Sequence, residues 1–101
     1  MMKRRVYISG PISGRDYQIA FEEFDQMETI LYSAGFCPKN PCKNGLPKNS
    51  TWRDHMKVDI AMMMECEAIY FLPGWWRSRG ALLERVLAWI LGIKTVNVRN
   101  K

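Results

Sequence analysis

Leu72 to Ala88 reads LPGWWRSRGALLERVLA. The run just ahead of it, Ala68-Ile69-Tyr70-Phe71-Leu72, is apolar on both faces, as a central strand of a parallel sheet must be when helices cover each side. Pro73-Gly74 breaks that strand, two tryptophans and two arginines bracket the loop, and Ser78 opens a helix. A strand, a glycine-bearing loop and a helix N-terminus in succession make a natural place for an anion or a sugar. Glu84 falls one to two turns inside the helix and is the first candidate for chemistry. The helix itself, Arg79 to Leu91, is apolar nearly all round, with Leu82, Leu83, Val86, Leu87, Trp89, Ile90 and Leu91. One face can cover the sheet. The surplus apolar surface is expected to meet another subunit, giving a homo-oligomer, a dimer or higher. The bland alternative for Glu84 is a place on a narrow solvated edge.

Upstream of this stretch, a helix is expected from Trp52 to Glu65, capped by Ser50 or Thr51. Its apolar stripe is Trp52, Met56, Ile60 and Met63, and the spacing 52, 56, 59, 63 projects Asp59 into it. A carboxylate there faces the protein. It is either a buried aspartate satisfied by a loop amide or a site carboxylate.

At the N-terminal end, Arg5 to Ser9 (RVYIS) reads as a first strand with Val6 and Ile8 on one side. Gly10-Pro11-Ile12-Ser13-Gly14 cannot continue it, and a Gly-x-x-x-Gly loop lets the backbone approach a ligand because no Cβ intervenes. Asp16 is placed to cap the next helix, whose apolar residues Ala20, Phe21, Phe24, Met27, Ile30, Leu31 and Ala34 keep a 3.6-residue period until Gly35. Phe36-Cys37 begins a brief second strand, expected to stop at Pro38, and Pro38 to Thr51 is a loop by composition. Thr95 to Val98 supplies a final strand.

The order β-α-β-α-β-α-β with right-handed crossovers predicts an α/β fold. It is a single-domain three-layer sandwich over residues 1–101, with a four-stranded parallel sheet and helices on both faces, flavodoxin-like or Rossmann-like. Ligands in such sheets bind beyond the carboxyl ends of the strands, where the loops 9–14, 38–51 and 73–78 collect.

Composition narrows the function classes. A chain of 101 residues supports one core, and 48% apolar with 25% charged residues argues against disorder. No apolar stretch approaches the ~18 residues of a membrane span, and no apolar run follows the basic N-terminus as a signal peptide requires. Three scattered cysteines fit reduced thiols and a cytoplasmic location better than a disulfide framework. Cys37-x4-Cys42 with a distant His55 is poor zinc spacing, so no metal is expected. The net charge of +5 suits an anionic ligand such as a nucleotide, and by itself also suits nucleic acid.

Taken together, Val6-Tyr7-Ile8-Ser9-Gly10-Pro11, Asp59-Ile60 and Ser78-Arg79-Gly80-Ala81-Leu82-Leu83-Glu84 resemble the nucleoside 2-deoxyribosyltransferase superfamily, in particular a small, often phage-borne branch. The resemblance implies that Glu84 is the nucleophile attacking the anomeric carbon of a 2-deoxyribosyl group, and that Asp59 assists proton transfer to the base. Ser78 stands where the related nucleoside 5′-monophosphate N-glycosidases carry a phosphate-binding serine. Tyr7, Gly10, Ile12, Gly14, Trp75, Arg77, Ser78 and Gly80 are the substrate-binding residues it implies. Two carboxyl groups in different roles also suit an oxocarbenium-like transition state. Glu84, near a helix N-terminus and paired with an arginine, would stay ionised, whereas desolvation would push Asp59 upward. Tyr7, Trp75 or Trp76 would stack on the base.

The leading expectation is therefore cleavage of an N-glycosidic bond, by hydrolysis or transfer, in a deoxynucleoside 5′-monophosphate or nucleoside, with no cofactor. A nucleotide-binding sensor or phage accessory protein without turnover is the alternative. A basic nucleic-acid-associated protein ranks third, because the positive charge is dispersed along the chain.

Overall fold

The computed structural model describes residues 3–47 and 49–97. Four strands and three α-helices alternate: β1 (Arg5–Ser9), α1 (Tyr17–Ser33), β2 (Cys37–Lys39), α2 (Trp52–Met64), β3 (Ala68–Phe71), α3 (Arg79–Leu91) and β4 (Lys94–Thr95). Two short 3-10 turns, Pro41–Lys43 and Trp75–Arg77, interrupt the loops before α2 and α3. The sheet is parallel throughout, in the order β2-β1-β3-β4, with Val6 opposite both Pro38 and Ala68.

Strand periodicity divides the core into two layers. Val6 and Ile8 of β1 pack with Phe24 and Leu31 of α1 and with Ala68 and Leu72. Tyr7 points the other way and packs with Ile69, Met63 of α2 and Ala88 of α3. Helix α1 thus covers one face of the sheet while α2 and α3 cover the other, which is the three-layer α/β arrangement the sequence predicts. Ser9 follows Tyr7 by two residues and is likewise fully buried on the α3 side, where its hydroxyl reaches Glu84.

Several boundaries follow from local chemistry. The Asp16 side chain accepts from the backbone N–H groups of Gln18 and Ile19 and starts α1. Thr51 rather than Ser50 caps α2, accepting from Asp54 N at 3.1 Å. Helix α3 occupies the span its periodicity predicts, capped by Ser78 at one end and Gly92 at the other.

Two expectations are corrected. Pro38 lies inside the second strand instead of ending it. Strand β2 is an edge strand whose Cys37 N–H donates to Arg4 O at 2.8 Å, so the N–H that Pro38 lacks would face away from β1. The last strand, Lys94–Thr95, begins one residue earlier than expected and stops short of Val96 and Asn97, which the expected strand included. Ile93 N bonds back to Ala88 O at 2.8 Å, which turns the chain into the sheet directly after Gly92. Val98, the expected end of that strand, lies outside the described residues.

Helix α3 decides between the two expectations for Glu84. The face that meets the sheet carries Ala81, Glu84 and Ala88, while Trp89 is 75% and Ile90 63% exposed. Glu84 does not sit on a solvated edge; it is 4% exposed. Small residues flanking it let the helix come close enough to β1 for direct side-chain contact.

Gly10, at the end of β1, shows a second close approach. A Cβ there would lie 2.9 Å from Leu72 Cβ, nearer than real side chains come. Gly10→Ala is therefore expected to cost about 1–3 kcal/mol through overpacking, measured by urea denaturation. A variant as stable as wild type would show that the loop has room to shift.

Candidate active site

The loops after β1, β2 and β3 surround a cavity of about 320 Å³ at the carboxyl edge of the sheet. Both carboxylates singled out in the sequence line it, although one comes from α2 and the other from α3. Tyr7, Gly10, Ile12, Gly14, Ser78 and Gly80 line it as well. Trp75 and Arg77 do not. Trp75 packs on Phe71 with ring centroids 5.0 Å apart, and the Arg77 guanidinium lies 6.0 Å from the exposed Trp76 ring. The 3-10 turn at Trp75–Arg77 carries these side chains away from the cavity, while the next residue, Ser78, reaches it.

Glu84 is held from the floor of the sheet. Tyr7 Oη donates to its Oε2 at 2.6 Å and Ser9 Oγ donates to its Oε1 at 2.7 Å. Alternate residues of one strand thus grip both oxygens of one carboxyl group. No arginine pairs with Glu84 among the described residues, contrary to expectation. Burial outweighs the two donors and pushes its pKa up to about 7, with the nearby Asp59 charge adding to the rise. Glu84 is thus only partly ionised at neutral pH. Tyr7 is itself buried, and burial together with the negative fields of Glu84 and Asp59 raises its phenol well above the ordinary range. It stays protonated and remains a donor; with its ring buried, the expected stacking on a base does not fit it.

Asp59 is 6% exposed, and Asn44 Nδ2 donates to its Oδ1 at 2.8 Å. Burial lifts its pKa to about 6, against the opposing effects of the Asn44 hydrogen bond and of His55. The side-chain amide of a loop residue thus satisfies the aspartate, which also faces the cavity.

The cavity mouth is shaped by residues the sequence reading did not assign to it. Trp52, at the start of α2, lines the cavity with Arg79 stacked 4.0 Å from its ring centroid. Arg15 lines it while bonding Glu23 through both terminal nitrogens and the Pro11 carbonyl through one. That clamp fixes the loop after β1 onto α1. Asn44 and His55 complete the wall beside Asp59. His55 had a signal, since it precedes Asp59 by four residues on one helix face. Asn44 had none, because a loop residue's partner fifteen positions away leaves no local pattern.

The Ser78 hydroxyl accepts from Ala81 N at 3.2 Å and so caps α3 while it lines the cavity. The three cysteines are free thiols; burial pushes Cys42, also on the cavity wall, up to about 12. Among the described residues no group of three or more His, Cys, Asp or Glu side chains is arranged to hold a metal ion. No described helix is long and apolar enough to cross a membrane.

Fold and site together define a single-domain α/β protein with a buried carboxylate pair in a cavity at the carboxyl edge of a parallel sheet. Residues 4–97 match the family described as Domain of unknown function (DUF4406), and the chain belongs to that family. A comparison with curated proteins gives no match.

Proposed function

We propose that the protein cleaves the N-glycosidic bond of a deoxynucleoside 5′-monophosphate or nucleoside, by hydrolysis or by deoxyribosyl transfer. The observation that carries this reading is the convergence of two buried carboxyl groups, Glu84 and Asp59, on one cavity of nucleoside dimensions. The reaction gives the two carboxyl groups different roles, and with Asp59 at about 6 and Glu84 at about 7 it draws on the less populated form of the pair, Glu84 ionised and Asp59 protonated. A Glu84 oxygen attacks C1′ as the C1′–N bond breaks, and the electron pair of that bond goes to the base. The Asp59 carboxyl gives its proton to the departing base. Water, or a second base through a ring nitrogen, then attacks C1′ and frees Glu84, and in either case the attacking molecule's proton passes to the Asp59 carboxylate. Tyr7 and Ser9 aim the glutamate and share its charge. A 5′-phosphate would meet the N-terminus of α3 beside Ser78 and Gly80.

Incubation with the four deoxynucleoside monophosphates and their nucleosides tests this by release of free base. A deoxyribosyl mass increase on Glu84 supports it most directly. Thermal stabilisation by nucleotide without base release would instead leave a binding module, and the reading would fail.

The exposed apolar face of α3 is proposed to pair with a second copy of the chain. Leu82, Val86, Trp89 and Ile90 are all exposed and, three or four residues apart, fall on one side of α3. Trp89→Glu is expected to convert an oligomer to monomer in sedimentation velocity. A monomeric wild type at high concentration would refute the pairing.

A further inference from the structure

Asn44 sits in the loop between the 3-10 turn at Pro41–Lys43 and α2, and both ends of its amide are engaged. Its Oδ1 accepts from the backbone N–H of Leu46 at 3.0 Å. Its Nδ2 lies 2.8 Å from Asp59 Oδ1 and 3.1 Å from His55 Nδ1. The Leu46 bond fixes which way the amide points, because a flipped Asn44 would set its NH2 group against a backbone donor. Nδ2 therefore gives one hydrogen to Asp59 and the other to His55. To accept, His55 Nδ1 must be bare, and a neutral imidazole then carries its single proton on Nε2.

His55 is half-buried and lines the cavity, and its Nε2 makes no hydrogen bond among the described residues. No buried side-chain nitrogen or oxygen among them lacks a partner, so Nε2–H reaches open space. We infer that Asn44 is a positioning residue that locks His55 as a hydrogen-bond donor to the ligand, and that the site thereby selects nucleobases presenting a carbonyl oxygen over those presenting an amine. Guanine and thymine carry an oxo group where adenine and cytosine carry an exocyclic amine. A fixed N–H facing an amine leaves two donors opposed, whereas facing a carbonyl it forms one more bond. The inference rests on the reading of the cavity as a nucleotide site.

His55 is the sole histidine in the chain, so the 15N-labelled protein shows one imidazole. Long-range 1H–15N spectra at alkaline pH are expected to show Nδ1 bare and Nε2 protonated. Asn44→Asp keeps the side-chain size but replaces the donor by an acceptor, and is expected to move the ring proton to Nδ1. In titrations, wild type is expected to bind dGMP over dAMP and dTMP over dCMP by about tenfold. Asn44→Asp should lose or reverse that preference, and His55→Ala should flatten it.

A wild-type ring protonated on Nδ1 overturns the inference whatever the variants do, and so do equal affinities within each pair. The two readings fail separately. Base released from all four nucleotides without preference would refute the selectivity and leave the glycosidase standing. An oxo preference in binding without any base release would refute the glycosidase and leave the selectivity standing.

Discussion

Glu84→Gln is expected to abolish base release and, in the same molecule, to raise the melting temperature at pH 8. The loss of activity follows from removing the attacking oxygen, and a drop of roughly 10³-fold or more is expected. The gain in stability follows from where the glutamate lies. Its carboxyl is 4% exposed and holds its proton up to about 7, whereas in the unfolded chain it releases that proton near 4.5. Between those values the folded state binds more protons than the unfolded one, so stability falls as pH rises through this window. Asp59 acts in the same direction between 3.8 and about 6.

A shift of the size seen for Glu84 corresponds to roughly 3 kcal/mol at pH 8. Glutamine keeps one acceptor for Tyr7 or Ser9, and the Ser9 hydroxyl can turn to accept from the new NH2 group, at a cost of about 1 kcal/mol. The net gain is about 1–2 kcal/mol, or roughly 5–10 °C for a domain of this size. Near pH 4 the carboxyl is largely neutral in both states and the advantage should vanish. Melting curves of the two proteins from pH 4 to 8 check this. Equal destabilisation at both ends would mean that Glu84 carries no burden of burial.

Asp59→Asn is expected to slow catalysis by ~10²–10⁴-fold and to change the shape of its pH dependence. In the proposed reaction the working form has Glu84 ionised and Asp59 protonated, the less populated state of a pair with apparent steps at about 6 and about 7. Acid protonates the nucleophile and alkali removes the proton meant for the base, so wild-type kcat/KM should follow a narrow bell. An asparagine has no proton to lose, and the alkaline limb should disappear. The acid limb should then report Glu84 alone, at or above the lower step of the pair and below about 7, because Glu84 no longer feels the Asp59 charge that raises it. Profiles of kcat/KM from pH 4.5 to 9 decide the matter. A slower enzyme with an unchanged bell would remove Asp59 from the proton path.

Much of the site was legible because helix and strand periods are local. The spacing of Met56 and Met63 around Asp59 places the carboxylate on the inner face of α2, and there it lies. Ser9 was readable in principle, two residues after Tyr7 on the same side of β1, but its hydroxyl gains meaning only once Glu84 is known to descend onto that strand. Trp75 and Arg77 mislead for a related reason. Their loop does reach the carboxyl edge of the sheet, yet its 3-10 turn directs both side chains away from the cavity.

By itself the sequence determined the order of strands and helices, the parallel sheet, the span of α3 and the two carboxylates worth following. These depend on hydrophobic period, breakers and caps, which act over a few residues. Tertiary structure alone decided that α3 meets the sheet through Ala81, Glu84 and Ala88 and turns its larger apolar residues outward. It alone decided that Asn44 spans Asp59 and His55, and that no arginine among the described residues answers Glu84. A helix that is apolar all round gives no internal reason to choose one face. That choice belongs to the close fit of small side chains against β1, and to hydrogen bonds between residues far apart in the chain.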